Sequence, residues 1–221
     1  DFPGLANRYV YYESSRGCPF RCAYCISSRG DQALEFRPPE LVREELSTIL
    51  SRNPMMVKFV DRTFNADRKH SRDIWSFLLD IHGNGPTRFH FEIHPALLEK
   101  EDFEILSRCP RDLFHFEIGV QTINPEARRT IRRGGDWLSE RQKIERLVRG
   151  GRIRVHLDLI AGLPGDDLAW ARPLLQRTLR PETPAPPIGV LESTPRNGDG
   201  RIRAGPRHCL GPFAALPLSL I

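Results

Sequence analysis

The sequence predicts an α/β protein built on a partial (β/α) TIM-like barrel of about five to six parallel strands, incomplete at its C-terminus. Short runs of apolar and β-branched residues recur about every 25 to 40 positions through most of the chain. Amphipathic segments separate these runs, which favours repeated right-handed βαβ units and a parallel sheet. Polar side chains follow the ends of several runs, where barrels of this kind carry their functional residues.

The first two strands and the helix between them are predicted from residue type and from helix start signals. Residues 9–12 are β-branched or aromatic, which favours a strand. The Pro-Pro pair at 38–39 can start a helix, and apolar side chains at helical spacing extend it to Leu50. The run 55–60 is apolar except for Lys58, which is typical of a strand buried on both faces.

The later elements repeat this alternation of helix and strand. Apolar spacing, with breaks at Gly, Asn and Pro, predicts helices at 74–81, 96–107, 125–133, 138–148 and 166–180. The strands predicted between them are 89–93, 113–120 and 153–160, and residues 188–191 are a candidate sixth strand.

The end of the chain differs in composition from the rest. Pro and Gly occupy 13 of the 41 positions in residues 181–221, against 23 of the preceding 180, a fraction typical of disordered segments. We therefore predict a core domain at 5–180 and a Pro/Gly-rich, poorly ordered tail at 181–221. A truncation, or a change of reading frame, would explain this shift, and we expect the chain to be a fragment.

Charge and hydropathy limit the partners and the location. The formal net charge is +5. The densest basic group consists of Arg128, Arg129, Arg132 and Arg133, and these four side chains would have to share one exposed face to bind phosphates. A solvated helix face is the alternative, and a nucleic-acid partner is not expected because no aromatic and basic residues interleave. Without a long apolar run or a signal sequence, we predict a cytoplasmic protein with no membrane partner.

Three of the five cysteines lie within eight residues, as Cys18, Cys22 and Cys25. Gaps of three and two residues let their thiolates converge on one metal centre, and an odd, clustered set argues against a disulfide framework. No further cysteine is near in sequence, which favours an open cluster with one ligand position left over. The alternative is a zinc or redox-inert metal knuckle that takes Cys109, His94 or another residue as its fourth ligand.

Four polar residues follow four of the predicted strands: Asp61, Glu92, Gln121 and Asp158. Because the carboxyl ends of parallel strands meet at one edge of a sheet, we expect all four to face the cysteine loop. Four histidines in or beside the strands are expected to line the core or the barrel, and none is proposed as catalytic. These are His90, His94, His115 and His156.

The cysteine spacing, with Tyr24 just before the third cysteine, resembles the signature of the radical S-adenosylmethionine (radical SAM) superfamily. Three later motifs follow in order and resemble the branch that includes oxygen-independent coproporphyrinogen III oxidases and cobalamin-binding radical SAM proteins. The likeness spans roughly residues 9–180, and residues 59–64 are more similar to the cobalamin-binding group. The three motifs are FEIHP at 91–95, IGVQ at 118–121 and DLIAGLPG at 158–165.

This resemblance implies the core of a radical SAM enzyme. The three clustered cysteines would ligate a 4Fe-4S cluster whose remaining iron chelates SAM. An electron from a donor such as flavodoxin or ferredoxin would cleave the sulfonium bond and give a 5′-deoxyadenosyl radical. Tyr24 would lie against the adenine, while Glu92 and Gln121 would bond the ribose and methionine parts. Asp158 would bond the ribose side, and Arg133 would bond the methionine carboxylate.

Two departures from the family pattern limit what the resemblance implies. Residues 61–63, Asp-Arg-Thr, stand where many members have a Gly-Gly-Glu type turn that holds an amino group, and the last barrel strands are missing from the predicted core. The substrate is therefore unknown, and cobalamin would need a domain outside this chain. An inactive fragment, a structural metal-binding module and a tRNA-modifying protein are the alternative functions.

Overall fold

The computed structural model describes residues 4–26, 33–82, 85–166 and 188–192. The predicted helix at 166–180, apart from its first residue, and the chain beyond residue 192 lie outside this range, so the domain boundary at residue 180 stays a prediction. The strands are β1 (Tyr9–Tyr12), β2 (Ser15–Arg16), β3 (Glu35–Phe36), β4 (Met56–Phe59), β5 (Arg88–Ile93), β6 (Phe114–Gln121), β7 (Arg154–Ala161) and β8 (Ile188–Glu192). The helices are α1 (Pro39–Leu50), α2 (Arg68–His82), α3 (Lys100–Ser107), α4 (Pro125–Thr130) and α5 (Trp137–Gly150).

Six of the strands form one parallel sheet in the order β1-β4-β5-β6-β7-β8. The helices α1 to α5 lie in the connections between successive strands of this sheet, which is the βαβ arrangement of an α/β barrel. The predicted fold class, a partial barrel of parallel strands, is confirmed. The candidate sixth strand is present as β8, which pairs parallel with β7.

The hydrophobic core joins one face of the sheet to the helices. Side chains along β5 and β6 alternate between half-buried and buried, and the buried set packs with helix residues in one cluster. Phe91 of β5 stacks on Phe59 of β4, and Trp75 of α2 stacks on Phe116 of β6. Since β4 alternates in the same way, the prediction that it is buried on both faces is wrong. Its Lys58 instead lies over the ring of Tyr9 at 5.4 Å.

Two predicted helices are shorter than expected. The segment predicted as one helix at 96–107 begins with a separate 3-10 turn, and α3 starts only after Glu99, whose side chain and that of Asp102 form a capping box. The helix predicted to reach residue 133 ends at Thr130, because Arg132 has a left-handed backbone with φ of 54°. The short pair β2 and β3 was not predicted, since two-residue strands show no alternation.

The basic group on and after α4 does not form one surface. Arg128 and Arg133 are buried, whereas Arg129 and Arg132 are exposed. Neither a four-arginine phosphate site nor a wholly solvated helix face is therefore correct. None of the helices in the described ranges is long and apolar enough to cross a membrane.

Candidate functional site

A cavity opens beside the cysteine loop, at the carboxyl ends of the central strands. The structure brings together in its wall every residue that the sequence proposed as a cluster ligand or a SAM contact. These are Cys18, Cys22, Tyr24, Cys25, Glu92, Gln121, Arg133 and Asp158. The wall also contains His94, which the sequence named only as an alternative zinc ligand. Six further lining residues were not proposed for the site: Phe20, Arg62, Thr63, Ile93, Glu117 and Gly119.

Asp61 does not line the cavity with Glu92, Gln121 and Asp158. The expectation that all four meet the cysteine loop on one face is therefore wrong for Asp61. Its fully buried carboxylate accepts hydrogen bonds from the backbone N–H of Ser14 at 3.2 Å and from the hydroxyls of Ser14 and Ser15 at 2.7 and 2.6 Å. Nε2 of His70 lies 3.0 Å from the same Ser14 hydroxyl. Asp61 therefore holds the segment that leads from β1 into the cysteine loop.

The far side of the cysteine loop is held by a backbone bond and by ring stacking. The N–H of Ala23 donates to the carbonyl of Ile131 at 2.8 Å, which ties the loop to the turn after α4. The ring of Phe20 stacks on His94, with centroids 4.2 Å apart, which ties the loop to the end of β5. These contacts place the three cysteines against the strand ends.

The three thiols of the loop line the cavity and form no disulfide. Sγ of Cys18 lies 3.4 Å from the hydroxyl oxygen of Thr63. Within the described ranges, no three Cys, His, Asp or Glu side chains converge on a point that could hold a single metal ion. Thiolates around a 4Fe-4S cluster bind different iron atoms and so stand farther apart than the ligands of one ion.

Cys109 belongs to the hydrophobic core and not to the cavity. It is fully buried, its Sγ lies 3.4 Å from the carbonyl oxygen of Pro110, and burial raises the pKa of its thiol to about 12. Because Cys109 lies in the core and not in the cavity wall, its position does not suit it as a fourth ligand beside the cysteine loop.

Arg133 reaches the cavity from the turn that follows α4. Its buried guanidinium donates from Nη2 to the carbonyl of Gly119, and Nη1 lies 3.5 Å from the hydroxyl of Tyr24. Its Nε is buried and has no hydrogen-bond partner among the described residues. Burial also raises the pKa of Tyr24 above its ordinary range, so that the phenol is neutral. The site thus contains a fixed guanidinium cation whose Nε–H group has no acceptor among the described residues.

Gln121 ends β6 in an unusual conformation. The pairing of β6 with β7 shifts register between Gly119 and Gln121, and Gln121 has a left-handed backbone with φ of 68°. Its side chain folds over Gly119, where an added Cβ would collide with the Gln121 amide nitrogen. Its Oε1 is buried without a partner in the described part of the chain. Strained backbone of this kind is concentrated at functional sites.

A chain of four titratable side chains crosses β5, β6 and β7 beside the cavity. His90 donates from Nε2 to Glu117 at 2.9 Å, the carboxyl group of Glu117 lies beside that of Asp158, and Nε2 of His156 lies 3.1 Å from Oδ1 of Asp158. The bond from His90 lowers the pKa of Glu117 to about 2, while burial raises the pKa of Asp158. Asp158 lines the cavity at the end of this chain of side chains.

His94 follows β5 and also lines the cavity. Its Nδ1 accepts the N–H of Ala96 at 3.2 Å, its Nε2 is buried with no partner among the described residues, and burial lowers its pKa to about 3. The expectation of a buried, barrel-lining histidine is correct. The sequence placed His94 beside the cysteines only as an alternative zinc ligand and did not predict it among the SAM contacts. The FEIHP motif could have indicated this position, because His94 lies only two residues beyond Glu92, and side chains two positions apart in a strand point to the same face.

Residues 12–177 match the sequence profile of the Radical SAM superfamily. The chain belongs to the radical SAM superfamily. The predicted resemblance is thereby confirmed, and the cysteine loop, the strand ends and the cavity described above are those of a radical SAM domain.

Curated relatives of this radical SAM chain are distant in sequence. It is 23% identical over 201 residues to the ribosomal protein uS12 methylthiotransferase RimO of Anaeromyxobacter sp. (strain Fw109-5), covering 88% of this chain and 42% of the relative. It is 23% identical over 176 residues to a tRNA-2-methylthio-N(6)-dimethylallyladenosine synthase of Herpetosiphon aurantiacus, covering 77% of this chain and 39% of that protein. The chain thus spans about two-fifths of the length of these relatives.

Solved structures of radical SAM proteins share the fold. The radical SAM methyltransferase TsrM from Kitasatospora setae, with cobalamin and a [4Fe-4S] cluster bound, matches with a TM-score of 0.68 at 17% identity, over 85% of this chain and 37% of TsrM. Coproporphyrinogen III oxidase (HemN) from Escherichia coli matches with a TM-score of 0.57 at 18% identity, over 85% of this chain and 44% of HemN. Both groups that the sequence resembles are therefore among its structural neighbours.

Proposed function

We propose that this chain is the catalytic core of a radical SAM enzyme in which Cys18, Cys22 and Cys25 hold a 4Fe-4S cluster and leave one iron for SAM. The observation that supports this most strongly is that eight residues chosen from the sequence line one cavity. Four of them, the three cysteines and Tyr24, belong to the cysteine loop, and the other four come from distant elements of the fold. Membership of the superfamily supports the same assignment. The chain spans only part of its relatives, so its activity, substrate and partners belong to this proposal.

The polar groups of the cavity fit the SAM molecule. A buried Arg133 with an unpartnered Nε suits the carboxylate of the methionine part, and the buried Oε1 of Gln121 is an acceptor for its ammonium group. Asp158 and Glu92 reach the same cavity from β7 and β5, the strands on either side of β6, and would take ribose hydroxyls. Tyr24 offers a neutral ring for the adenine.

In this proposal the residues of the chain bind, orient and shield. When bound, the reduced cluster supplies an electron for cleavage of the sulfonium bond of SAM. The two anchors of the cysteine loop, at Asp61 and at Phe20, fix the three thiols relative to the strands. Arg133 and Gln121 hold the methionine part in one orientation, which sets the direction in which the sulfur to 5′-carbon bond points. An external donor such as flavodoxin or ferredoxin would supply the electron.

Anaerobic reconstitution with iron and sulfide tests the proposal. We expect a brown protein with broad visible absorbance, and release of 5′-deoxyadenosine from SAM once dithionite is added. The same protein without dithionite is the control and should release none. A colourless, zinc-loaded protein would contradict the cluster, and a full cluster with no 5′-deoxyadenosine would contradict catalysis by this chain and favour an inactive fragment.

Substitution of Arg133 by methionine is expected to weaken SAM binding by about 10-fold to 100-fold, because a charge-assisted bond to the carboxylate is lost while the side-chain volume is kept. Titration calorimetry on the reconstituted protein measures the dissociation constant. The exposed neighbour Arg129 is the matched control, and Arg129→Met should bind SAM like the wild type. Equal affinity of Arg133→Met and wild type would remove Arg133 from the site.

Substitution of Gly119 by alanine is expected to weaken SAM binding by about 10-fold, since the new methyl group occupies the space of the Gln121 amide. Gly134 has no atom within 4 Å of an added Cβ, so Gly134→Ala is the control. The dissociation constant for SAM and the thermal unfolding temperature are measured for both variants. Unchanged affinity in Gly119→Ala would mean that Gln121 does not contact SAM.

A second proposal concerns the reaction class, which we infer to be transfer of a methyl or methylthio group. It is supported by two of the relatives, a ribosomal protein methylthiotransferase and a tRNA-2-methylthio-N(6)-dimethylallyladenosine synthase, and by the neighbour TsrM, a methyltransferase. Cobalamin would be carried by a domain outside this chain, and RNA or a ribosomal protein is the candidate substrate class.

The measurement is detection of S-adenosylhomocysteine, the product that SAM becomes when it gives up its methyl group. We expect the full-length protein to form S-adenosylhomocysteine when it is supplied with RNA or a ribosomal protein. Formation of 5′-deoxyadenosine alone with each of these substrates would contradict the proposed reaction class.

A further inference from the structure

His94 is a buried polar group of the cavity to which the proposed function gives no role. Its side chain is 4% exposed, it lines the cavity with the cysteines, and Nε2 has no partner among the described residues. Buried nitrogen donors are almost always hydrogen-bonded, because desolvation without a partner is costly. An unpartnered donor in a ligand cavity therefore points to an acceptor that the ligand supplies.

The contacts of His94 determine which nitrogen carries the proton. Nδ1 accepts the backbone N–H of Ala96 at 3.2 Å, so the proton of the neutral ring is on Nε2. Asn65 holds the backbone of His94 through two bonds, from the His94 N–H at 2.9 Å and to the His94 carbonyl at 3.0 Å. With Phe20 stacked on the ring, the Nε2–H group is fixed in position.

The surroundings of His94 keep it a neutral donor. Burial is the main reason that its pKa falls to about 3, and the positive charges of Arg133, Arg128 and Lys143 lower the pKa further. A neutral N–H in a cationic environment attracts an anionic acceptor without adding a charge of its own. The chemistry of the ligand is therefore that of an anion placed near the cysteine loop.

We propose that His94 is a positioning residue whose Nε2–H donates a hydrogen bond to an anionic acceptor at the cluster site. Two groups of the proposed function have this chemistry, the sulfur atoms of the cluster and the carboxylate of SAM. The proposal rests on the proposed function and adds to it a residue that orients or tunes these groups.

The variant His94→Asn tests this donor with little change to the fold. The asparagine Oδ1 can keep the bond from the Ala96 N–H, as asparagine does at the start of a turn, while the Nε2–H group is lost. His115, which lies 3.2 Å from the Asp112 carbonyl oxygen and does not line the cavity, provides the control His115→Asn. Iron content, the midpoint potential without SAM, and the dissociation constants of SAM and decarboxylated SAM are measured on the reconstituted proteins.

A cluster acceptor predicts a lower midpoint potential in His94→Asn, because hydrogen bonds to sulfur favour the reduced, more negative cluster. A carboxylate acceptor predicts about 10-fold weaker binding of SAM, with binding of decarboxylated SAM unchanged. Full iron content with neither change overturns the proposal. Failure of the wild type to bind iron or SAM would instead remove the proposed function, and this inference with it.

A third variant distinguishes hydrogen bonding from stacking. Phe20→Leu removes the ring stack and leaves the imidazole in place. If His94→Asn changes potential, affinity or iron content and Phe20→Leu does not, the N–H donor is supported. If Phe20→Leu reproduces the full effect, the histidine only supports the cysteine loop, and the proposal is overturned.

Discussion

Replacing Cys22 by serine is expected to remove the cluster and to reduce cleavage of SAM by more than about 100-fold. Three cysteines line the cavity and form no disulfide, so each is required where three protein ligands hold the cluster. A serine hydroxyl is a hard, weakly acidic ligand that replaces a thiolate poorly on iron-sulfur centres. Iron content, visible absorbance and release of 5′-deoxyadenosine measure the effect.

Cys109 provides the control for this experiment. It is buried in the core away from the cavity lining, and its raised pKa keeps the thiol protonated. Cys109→Ala should therefore retain iron and activity and lose only about 1 kcal/mol of stability. A Cys22→Ser protein with full iron content, or a Cys109→Ala protein without iron, would show that the ligand set is assigned incorrectly.

The residues at the strand ends that face the cavity could be predicted, because the sequence shows both the alternation of side chains along each strand and the order of the strands along the chain. In β6 the apolar residues Phe116, Ile118 and Val120 are buried against the helices, so Gln121 falls on the opposite face with the cavity. The same rule explains the error at Asp61. Side chains alternate along a strand, so Asp61 lies two positions after the buried Phe59 and on the same buried face. There it holds the start of the cysteine loop through its bonds to Ser14 and Ser15.

The positions of Arg133 and His94 could not be predicted to the same depth. Arg133 is buried because the chain turns at Arg132 and folds back on Gly119, and this depends on contacts between distant segments. Whether Nε2 of His94 has a hydrogen-bond partner depends on the groups that surround the ring, and the spacing of apolar residues in the sequence does not predict those groups. Sequence motifs therefore located the residues of the cavity, while tertiary contacts determined which of their atoms are left for a ligand.

Substitution of Glu140 by alanine is expected to destabilise the fold by about 3–5 kcal/mol. Glu140 of α5 pairs with Arg128 of α4 at 2.7 Å, and both side chains are almost wholly buried. Arg128 also lies within hydrogen-bond distance of the carbonyls of Thr122 and Gly134. Without the carboxylate, a buried guanidinium loses its counter-charge. At roughly 2–4 °C per kcal/mol for a chain of this size, the unfolding temperature should fall by about 10 °C.

Helix α5 also supplies a matched control for that loss. Glu145 forms ion pairs with Arg141 and Arg149 at 2.7 and 2.9 Å, but the pairs are exposed. Exposed pairs contribute little because water screens them, so Glu145→Ala should cost less than about 1 kcal/mol. Thermal and denaturant unfolding measure both variants. Equal losses for Glu140→Ala and Glu145→Ala would mean that the buried pair does not stabilise the connection between α4 and α5.

The buried pair also affects the candidate site, and a double variant separates the two effects. Replacing Arg128 and Glu140 together by methionine leaves no unpaired charge, so most of the lost stability should return. The turn that carries Arg133 would still lack the bond from Arg128 to Gly134. We therefore expect the double variant to fold stably and yet bind SAM more weakly than the wild type. Recovery of both properties would show that the pair only stabilises the fold, and that Arg133 is positioned by its bond to Gly119 alone.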